Sequence, residues 1–198
     1  MPFEARPWLP LLSRFLVGAG WVWFFVFFVF RRQPAGGAGA RRDRMSVLGI
    51  GLQMVAFALV WMIQRPLPPA GAPLRPGEIA LDVLAPLLSI ASVWLGLSAV
   101  RTLGKQWSYE ARVIEGHELV TQGPYAWVRH PIYTAMLGKL LASNFAFGHW
   151  IGLVMAGTVF VIGTLIRIRS EEKLLRTTFG EQYEAYARRV PAFVPGFR

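Results

Sequence analysis

The run IYTAMLGKLLASNFAFGHWIGLVMAGTVFVIGTL, residues 132–165, decides the fold class of this chain. It contains no acidic residue, and only Lys139 and His149 can carry a positive charge. A helix that crosses a bilayer needs about 20 consecutive apolar residues. The run is therefore too long for one membrane span, and it predicts two spans joined by a tight turn at residues 143–149.

Three more apolar stretches precede this hairpin and predict three further spans. They cover residues 11–30, 46–63 and 78–100, and each is long enough to cross a bilayer. Apolar residues make up 54% of the chain's 198 residues, which exceeds the usual share in a soluble domain. The sequence thus predicts an all-α polytopic membrane protein, with about five transmembrane helices and a cytoplasmic C-terminal amphipathic helix.

We expect a single membrane-embedded domain over residues 1–198. Residues 1–100 would hold the three N-terminal spans, and residues 101–198 a polar loop, the helical hairpin and the C-terminal helix. The chain has no cysteine and only three scattered histidines, so we expect no disulfide and no metal site.

Arginines predict the orientation in the membrane. The loop between the first two spans carries five arginines, at 31, 32, 41, 42 and 44, against one aspartate, and such an excess is typical of the cytoplasmic side. The N-terminus would then lie outside, and residues 101–131 and the C-terminus inside, in what we expect to be a prokaryotic inner membrane. The net charge of +10 then reflects topology and contact with anionic membrane lipids, and we expect no nucleic-acid partner.

Four residues interrupt the apolar pattern of the predicted spans. Arg14 is expected to extend toward the outer interface, and Asp82 is expected to be an interfacial carboxylate. Pro86 should kink the third helix. Lys139 is costly inside a membrane unless it is paired, and we expect it to have a structural role.

The polar stretch GPYAWVRHPIY, residues 123–133, ends the polar section between the third predicted span and the hairpin. It therefore lies at a membrane boundary. Its two prolines rule out one uninterrupted helix. Irregular polar backbone at such a boundary is tolerated where it lines a cavity, so we expect a ligand site on the cytoplasmic face. Two polar segments could build it, with Glu110, Arg112, His117, Tyr125, Arg129, His130, Tyr133, Arg167, Arg169, Glu171 and Glu172.

These side chains suit a ligand with a flat ring, a positive centre and a carboxylate. Aromatic faces accept rings and cations, and arginine pairs with anions. S-adenosylmethionine has all three features, although other ligands have them too. The residues by themselves indicate only a ligand site on the cytoplasmic face.

Several short motifs in the C-terminal half add a resemblance to a known family. In chain order they are LGKQWS at 103–108, HELVTQGPY at 117–125, RHPIY at 129–133, Arg167, the pair Glu171–Glu172, FGEQY at 179–183, Tyr186 and RVP at 189–191. In this order the motifs resemble the isoprenylcysteine carboxyl methyltransferase family of integral-membrane enzymes, which is related more distantly to phospholipid N-methyltransferases. The N-terminal half matches only as hydrophobic spans.

The resemblance implies a cytoplasmic pocket for S-adenosyl-L-methionine, which would leave as S-adenosyl-L-homocysteine. It assigns Arg167 to the substrate, with Glu172 as a second catalytic candidate and as an alternative to Glu171 for the cofactor contact. Its implied cofactor-binding residues are His117, Glu118, Leu119, Val120, Tyr125, His130, Pro131, Ile132, Tyr133 and Glu171.

The expected reaction is carboxyl O-methylation of a lipid or hydrophobic small-molecule acceptor. A carboxylate is already ionised and needs no base, whereas an amine or thiol would need Glu171, Glu172 or His130 for deprotonation. The alternatives are therefore N-methylation of a phospholipid, S-methylation of a small thiol, or a membrane scaffold protein that keeps the fold without turnover.

Overall fold

The computed structural model describes residues 8–30, 44–69, 73–107 and 118–194. These residues form six α-helices and two short 3₁₀ turns, at Gly104–Gln106 and Gly123–Ala126. An isolated bridge between Gln64 and Gly148 is the only extended pairing in the described ranges. The helices are α1 Trp8–Phe30, α2 Arg44–Met62, α3 Pro76–Leu103, α4 Pro131–Phe147, α5 Trp150–Phe179 and α6 Glu181–Arg189.

The chain is an all-α integral membrane protein. Four of the described helices, α1, α2, α3 and α5, are long and apolar enough to cross a bilayer. The shorter α4 has 17 residues, which extend about 25 Å at 1.5 Å per residue, slightly less than the hydrocarbon thickness of a bilayer. The predicted hairpin is present, since α4 and α5 are separated by only Gly148 and His149.

Polar contacts show which helix ends lie together. The Arg14 side chain donates to the carbonyl of Ala146 at 3.1 Å, and the Arg65 amide donates to that of Phe147 at 2.8 Å. Arg65 also pairs with Asp82 at 2.8 Å. The starts of α1 and α3 therefore meet the ends of α2 and α4 at one end of the bundle, which we call the Asp82 end.

Two expectations about this end are refined. Asp82 is buried, 1% exposed, in an ion pair with Arg65, and is not an open interfacial carboxylate. Arg14 does not simply extend to the interface, because its guanidinium donates to the carbonyls of Ala146 and Arg65. Helix α3 continues as one helix through Pro86, and the kink expected there stays a prediction.

Helices α2 and α5 approach closely through glycine. A β-carbon added at Gly163 would lie 2.9 Å from the carbonyl oxygen of Gly49, which is tighter than real side chains allow. One turn further along α2, the side-chain amide of Gln53 donates to the hydroxyl of Thr164 at 2.9 Å. An apolar cluster of Ala56, Phe57, Val60, Leu140, Ala156 and Phe160 then fills the space between α2, α4 and α5.

Lys139 is fully buried in α4 and has several partners. Its ammonium group donates to the Ser89 hydroxyl at 2.9 Å and to the Val17 carbonyl at 3.4 Å. It also lies 4.9 Å from the centre of the Trp21 ring. These contacts join α1, α3 and α4, as expected for a residue with a structural role.

The amphipathic tail differs in detail from the expectation of one continuous segment. Helix α5 continues to Phe179, Gly180 adopts a φ of 47°, and α6 starts at Glu181. A positive φ favours glycine because it has no β-carbon. The break turns α6 back toward the bundle, where its tyrosines Tyr183 and Tyr186 are buried.

Candidate active site at the His130 end

The start of α4 lies at the other end of the bundle and presents the first half of the site. Pro131 is the first residue of α4 and His130 precedes it as the N-cap. Proline is favoured there because its missing N–H would have no helical partner. Tyr133 follows within the first turn, so His130 and Tyr133 lie side by side with their ring centres 5.7 Å apart.

Helix α5 supplies the second half, and Glu171 lies at the centre of the contacts. His130 Nδ1 lies 3.2 Å from Glu171 Oε2, and the Tyr133 hydroxyl donates to Glu171 Oε1. Arg167, one helical turn before Glu171, lies 3.8 Å from the same oxygen. The Glu171 side chain keeps 26% of its surface exposed, so a ligand can reach it.

Glu172 faces a different set of partners. Arg129 donates to its Oε1 at 2.8 Å, and Arg176, one turn later on α5, donates to its Oε2 at 3.0 Å. His130 Nε2 lies 3.4 Å from Oε1. Its carboxylate, 9% exposed, is therefore held by cations on several sides.

His130 lies between the two carboxylates, one on each ring nitrogen. Both nitrogens can donate only when the imidazole is protonated. Burial by itself lowers the pKa of His130, but hydrogen bonds to Glu171 and Glu172 outweigh burial, so its pKa is raised above the ordinary value. The site thus favours a cationic His130 between two anions.

Arg167 is oriented by Tyr133. Its Nε donates to the Tyr133 hydroxyl at 2.8 Å, and its guanidinium carbon lies 5.0 Å from the centre of the Tyr133 ring. The arginine side chain is only 10% exposed. One tyrosine therefore connects the arginine to the carboxylate of Glu171.

Tyr125 closes the site from the 3₁₀ turn at Gly123–Ala126. It is buried, and burial raises its pKa well above the ordinary value, with a further increase from the nearby Glu171 carboxylate. Its carbonyl accepts a hydrogen bond from the Tyr186 hydroxyl of α6 at 2.7 Å. Because its pKa is raised in this way, the Tyr125 hydroxyl stays neutral near the Glu171 carboxylate.

The segment after α6 binds back onto the start of α4. The amides of Arg129 and His130 donate to the carbonyls of Pro191 and Ala192 at 2.8 and 2.9 Å. The Arg129 guanidinium also donates to the carbonyl of Val190 at 2.6 Å. Arg129 thus connects three parts of the site: α4, Glu172 of α5 and the chain after α6.

Most of the predicted site residues come together, and some do not. His130, Tyr133, Arg167, Glu171 and Glu172 form one connected cluster. Tyr125 is buried in the 3₁₀ turn, where the Glu171 charge affects its pKa, and Pro131 and Ile132 lie at the start of α4. Glu118, Leu119 and Val120 are described, and the Glu118 amide donates to the Gln106 side chain at 3.0 Å. His117, Glu110 and Arg112 lie outside the described residues.

Two arginines that support the cluster have no role that the sequence pattern alone assigns. Arg129 was a general candidate without a role, and Arg176 was not singled out. The spacing of Arg176, four residues after Glu172, is the usual helical ion-pair spacing and could have indicated it. No sequence signal indicated the backbone pairing of residues 191 and 192 with the start of α4.

Membrane-length helices and a buried cluster of carboxylates and cations at their ends define an integral-membrane protein with a polar site at one membrane boundary. The profile of the phospholipid methyltransferase family matches residues 81–182. The chain belongs to this family, and the matched segment contains the whole His130–Glu171–Glu172 cluster.

Curated relatives support the expected likeness to isoprenylcysteine methyltransferases. The chain is 32% identical over 104 residues to the protein-S-isoprenylcysteine O-methyltransferase of Schizosaccharomyces pombe, covering 52% of this chain and 44% of the relative. It is 34% identical over 100 residues to protein-S-isoprenylcysteine O-methyltransferase B of Arabidopsis thaliana, covering 50% and 51%.

A bacterial relative carries a different name. The cobalt-zinc-cadmium resistance protein CzcN of Cupriavidus metallidurans is 34% identical over 115 residues, covering 57% of this chain and 51% of the relative. The chain spans about half the length of the curated relatives it matches. The likeness is therefore to part of each relative.

Proposed function

We propose that this protein is an S-adenosylmethionine-dependent membrane methyltransferase, with carboxyl O-methylation of a lipophilic acceptor as its reaction. The single observation that carries the proposal is the cluster in which Glu171 contacts His130, Tyr133 and Arg167. Its position within the matched family segment supports the same assignment.

The donor set fits this cofactor chemically. An amino-acid ammonium group and ribose hydroxyls need a carboxylate acceptor, and Glu171 is partly exposed to supply one. Tyr125 and Tyr133 are buried, and the Tyr133 ring already packs against Arg167 and His130, so we propose that both tyrosines shape the wall of the pocket. Glu171, His130, Tyr133 and Tyr125 are the residues that would hold the cofactor, with the 118–120 segment and His117 as further candidates.

A bound cofactor would supply an electrophilic methyl group: the acceptor oxygen would form the new O–C bond in line as the S–C bond breaks, and the sulfur would leave as the neutral thioether of S-adenosylhomocysteine. The work of the protein is then to orient the two reactants and to exclude water. Arg167 is proposed to face the acceptor, because an arginine held by Tyr133 can orient a carboxylate while part of its charge stays shared with Glu171. Such sharing keeps the acceptor oxygen nucleophilic.

Glu172 was predicted as a second catalytic residue, and we propose that it supports the site instead. Three cations surround it, and its side chain is mostly buried. We propose that Glu172 holds His130 and Arg129 in place, while Glu171 contacts the cofactor. For an amine or thiol acceptor, Glu171 would remain the candidate base, because a His130 that is already cationic cannot accept a proton.

The acceptor is proposed to reach the site from the membrane and the cofactor from the cytosol. The arginine-rich loops support an N-terminus outside and a cytoplasmic site in a prokaryotic inner membrane. The long α5, with 30 residues, supports this arrangement because it is longer than a typical span. Its last turns, from Arg167 onward, can therefore lie at and beyond the membrane surface.

Calorimetric titration with S-adenosylhomocysteine tests the proposal first. We expect saturable binding by the purified protein, weaker binding after His130→Ala or Glu171→Ala, and nearly unchanged binding after Arg167→Ala, which should mainly lower turnover. Folded protein that binds no S-adenosylhomocysteine at millimolar concentration would favour the scaffold alternative and refute the methyltransferase assignment.

N-methylation of a phospholipid is the second candidate function, because the matched family bears the description phospholipid methyltransferase. Incubation with methyl-labelled cofactor and a membrane lipid extract separates the two. Base-labile methyl esters are expected from carboxyl methylation. Label found only in phosphatidylethanolamine derivatives would replace the leading reaction, and label only in small thiols would support S-methylation.

A further inference from the structure

Helix α2 lies outside the matched family segment, yet it contacts the side chain of Arg167. A β-carbon added at Gly49 would overlap Arg167 Cγ, and it would lie 2.7 Å from the carbonyl oxygen of Gly163 and 3.3 Å from Arg167 Cδ. The aliphatic part of Arg167 therefore runs directly over the backbone of α2 at Gly49. Any larger residue at this position would occupy the path of that side chain.

The guanidinium end of Arg167 is held in place, so a change at its aliphatic stem would disturb the contacts of the guanidinium. Its Nε donates to the Tyr133 hydroxyl at 2.8 Å, and its Nη2 lies 3.8 Å from Glu171. The Arg167 side chain therefore lies against Gly49 of α2 with its stem and against Tyr133 of α4 with its guanidinium. If its stem is displaced, the guanidinium loses the geometry that the hydroxyl requires.

The backbone of α2 is itself fixed in register against α5. The carbonyl of Gly49 lies against Gly163, one turn before Arg167, and Gln53 donates to Thr164 at 2.9 Å. The backbone of α2 at Gly49 therefore cannot move easily away from Arg167. A methyl group at position 49 would therefore displace the arginine stem and also press on the Gly163 carbonyl.

We infer that Gly49 is a positioning residue for Arg167, and that α2 thereby forms part of the acceptor side of the site. This inference rests on the proposed function, because it takes Arg167 as the residue that faces the acceptor. A misplacement of about 1 Å at a reacting group can lower a rate by roughly a hundredfold. The effect on the cofactor should be small, since the three heavy atoms nearest to a β-carbon at Gly49 belong to Arg167 and Gly163, neither of which is a proposed cofactor residue.

The variant Gly49→Ala tests the inference, and Gly51→Ala is its matched control. Gly51 lies on the same helix and has no heavy atom within 4 Å of an added β-carbon. We expect Gly49→Ala to lower labelled methyl transfer to the lipid extract by about tenfold or more, with S-adenosylhomocysteine affinity within about twofold of the parent. Gly51→Ala should leave both quantities unchanged.

The combination with Arg167→Ala separates positioning from general packing. If Gly49 acts through Arg167, adding Gly49→Ala to the Arg167→Ala protein should lower turnover by a clearly smaller factor than in the parent, because only the clash with the Gly163 carbonyl remains. Equal losses in both backgrounds would overturn the inference. So would a loss of cofactor affinity as large as the loss of turnover.

Thermal unfolding provides a readout that does not depend on methyl transfer. Gly49→Ala should lower the unfolding temperature less in the Arg167→Ala background than in the parent, since Cγ and Cδ no longer obstruct the methyl group. A double variant that folds where Gly49→Ala alone does not would support the inference. Equal destabilisation in both backgrounds would refute it, even if the protein proves not to be a methyltransferase.

Discussion

The two ends of the helix bundle both bury arginines with carboxylates, but they use them differently. At the Asp82 end, the side chains of Arg14 and Arg65 donate mainly to backbone carbonyls near helix ends. The single carboxylate there, that of Asp82, is buried. At the His130 end, cationic side chains bind two carboxylates, and one of these stays partly exposed. The first arrangement closes a structure, and the second leaves an anion that a ligand can contact.

Removal of the carboxylate at the Asp82 end should give the largest change in stability. Asp82→Ala leaves Arg65 without its buried counter-ion, and breaking such a pair costs about 3–5 kcal/mol. Thermal unfolding in detergent should show a large drop, while S-adenosylhomocysteine affinity of the folded fraction stays unchanged. Glu78→Gln, four residues earlier on the same helix, is the control and should have a small effect.

Loss of ligand affinity together with loss of stability would contradict the comparison. It would mean that the Asp82 end communicates with the His130 end instead of only closing the bundle.

The exposed carboxylate at the His130 end should show the opposite pattern. Glu171→Gln removes charged hydrogen bonds worth about 1.5–3 kcal/mol each, so S-adenosylhomocysteine should bind roughly ten- to a hundredfold more weakly. Glu181→Gln, on the exposed start of α6, serves as the control. Unchanged affinity in Glu171→Gln would remove Glu171 from the proposed cofactor site.

Protonation of His130 should stabilise the folded protein in a defined pH range. Its pKa in the folded protein is raised above the ordinary value of 6.5, so the folded state binds the proton more tightly than the unfolded state. The stabilisation is complete below pH 6.5 and is lost as the pH rises through the raised pKa.

NMR titration of labelled histidine can measure this pKa, with His130→Gln used to assign the signal among the three histidines. The unfolding temperature should fall over the same pH range in the parent and less in His130→Gln. A measured pKa below 6.5 would mean that burial outweighs the two carboxylates.

The smallest effect is expected at the rim of the His130 end. Arg176 pairs with Glu172 at 3.0 Å and with Glu184 at 2.9 Å, but its side chain is 47% exposed. Exposed pairs contribute about 0–1 kcal/mol, so Arg176→Gln should lower the unfolding temperature slightly, and less so at high salt. Arg188→Gln, on exposed α6, is the control, and a larger or salt-independent effect would indicate that Arg176 belongs to the buried cluster.

The sequence predicts the helical membrane fold well because apolar length is set by bilayer thickness. The hairpin turn lies within residues 143–149 as expected, and α1, α2 and α3 begin and end within three residues of their predicted limits. Arg167 and Glu171 also lie on one helical face, because their spacing of four residues alone fixes that relation once α5 continues past the membrane.

What the sequence does not predict depends on contacts between distant segments. Asp82 could not be paired with Arg65, because no local spacing connects the end of α2 with the first turns of α3. The sequence does not predict the break at Gly180, because apolar and aromatic residues keep helical spacing on both sides of it. The roles of Arg129 and Gly49 depend on which helix lies opposite them, and this is decided only by packing.

The backbone pairing of Arg129 and His130 with Pro191 and Ala192 has a consequence for biosynthesis. Ribosomes deliver α4 about sixty residues before these carbonyls, and domains generally form in the order in which they are synthesised. The two amides at the start of α4 must therefore wait, hydrated at the membrane surface, until α5 has been inserted and α6 has folded. Insertion of the helices and completion of the site are thus separate events, and the protein would acquire its polar cluster only after its last membrane helix is in place.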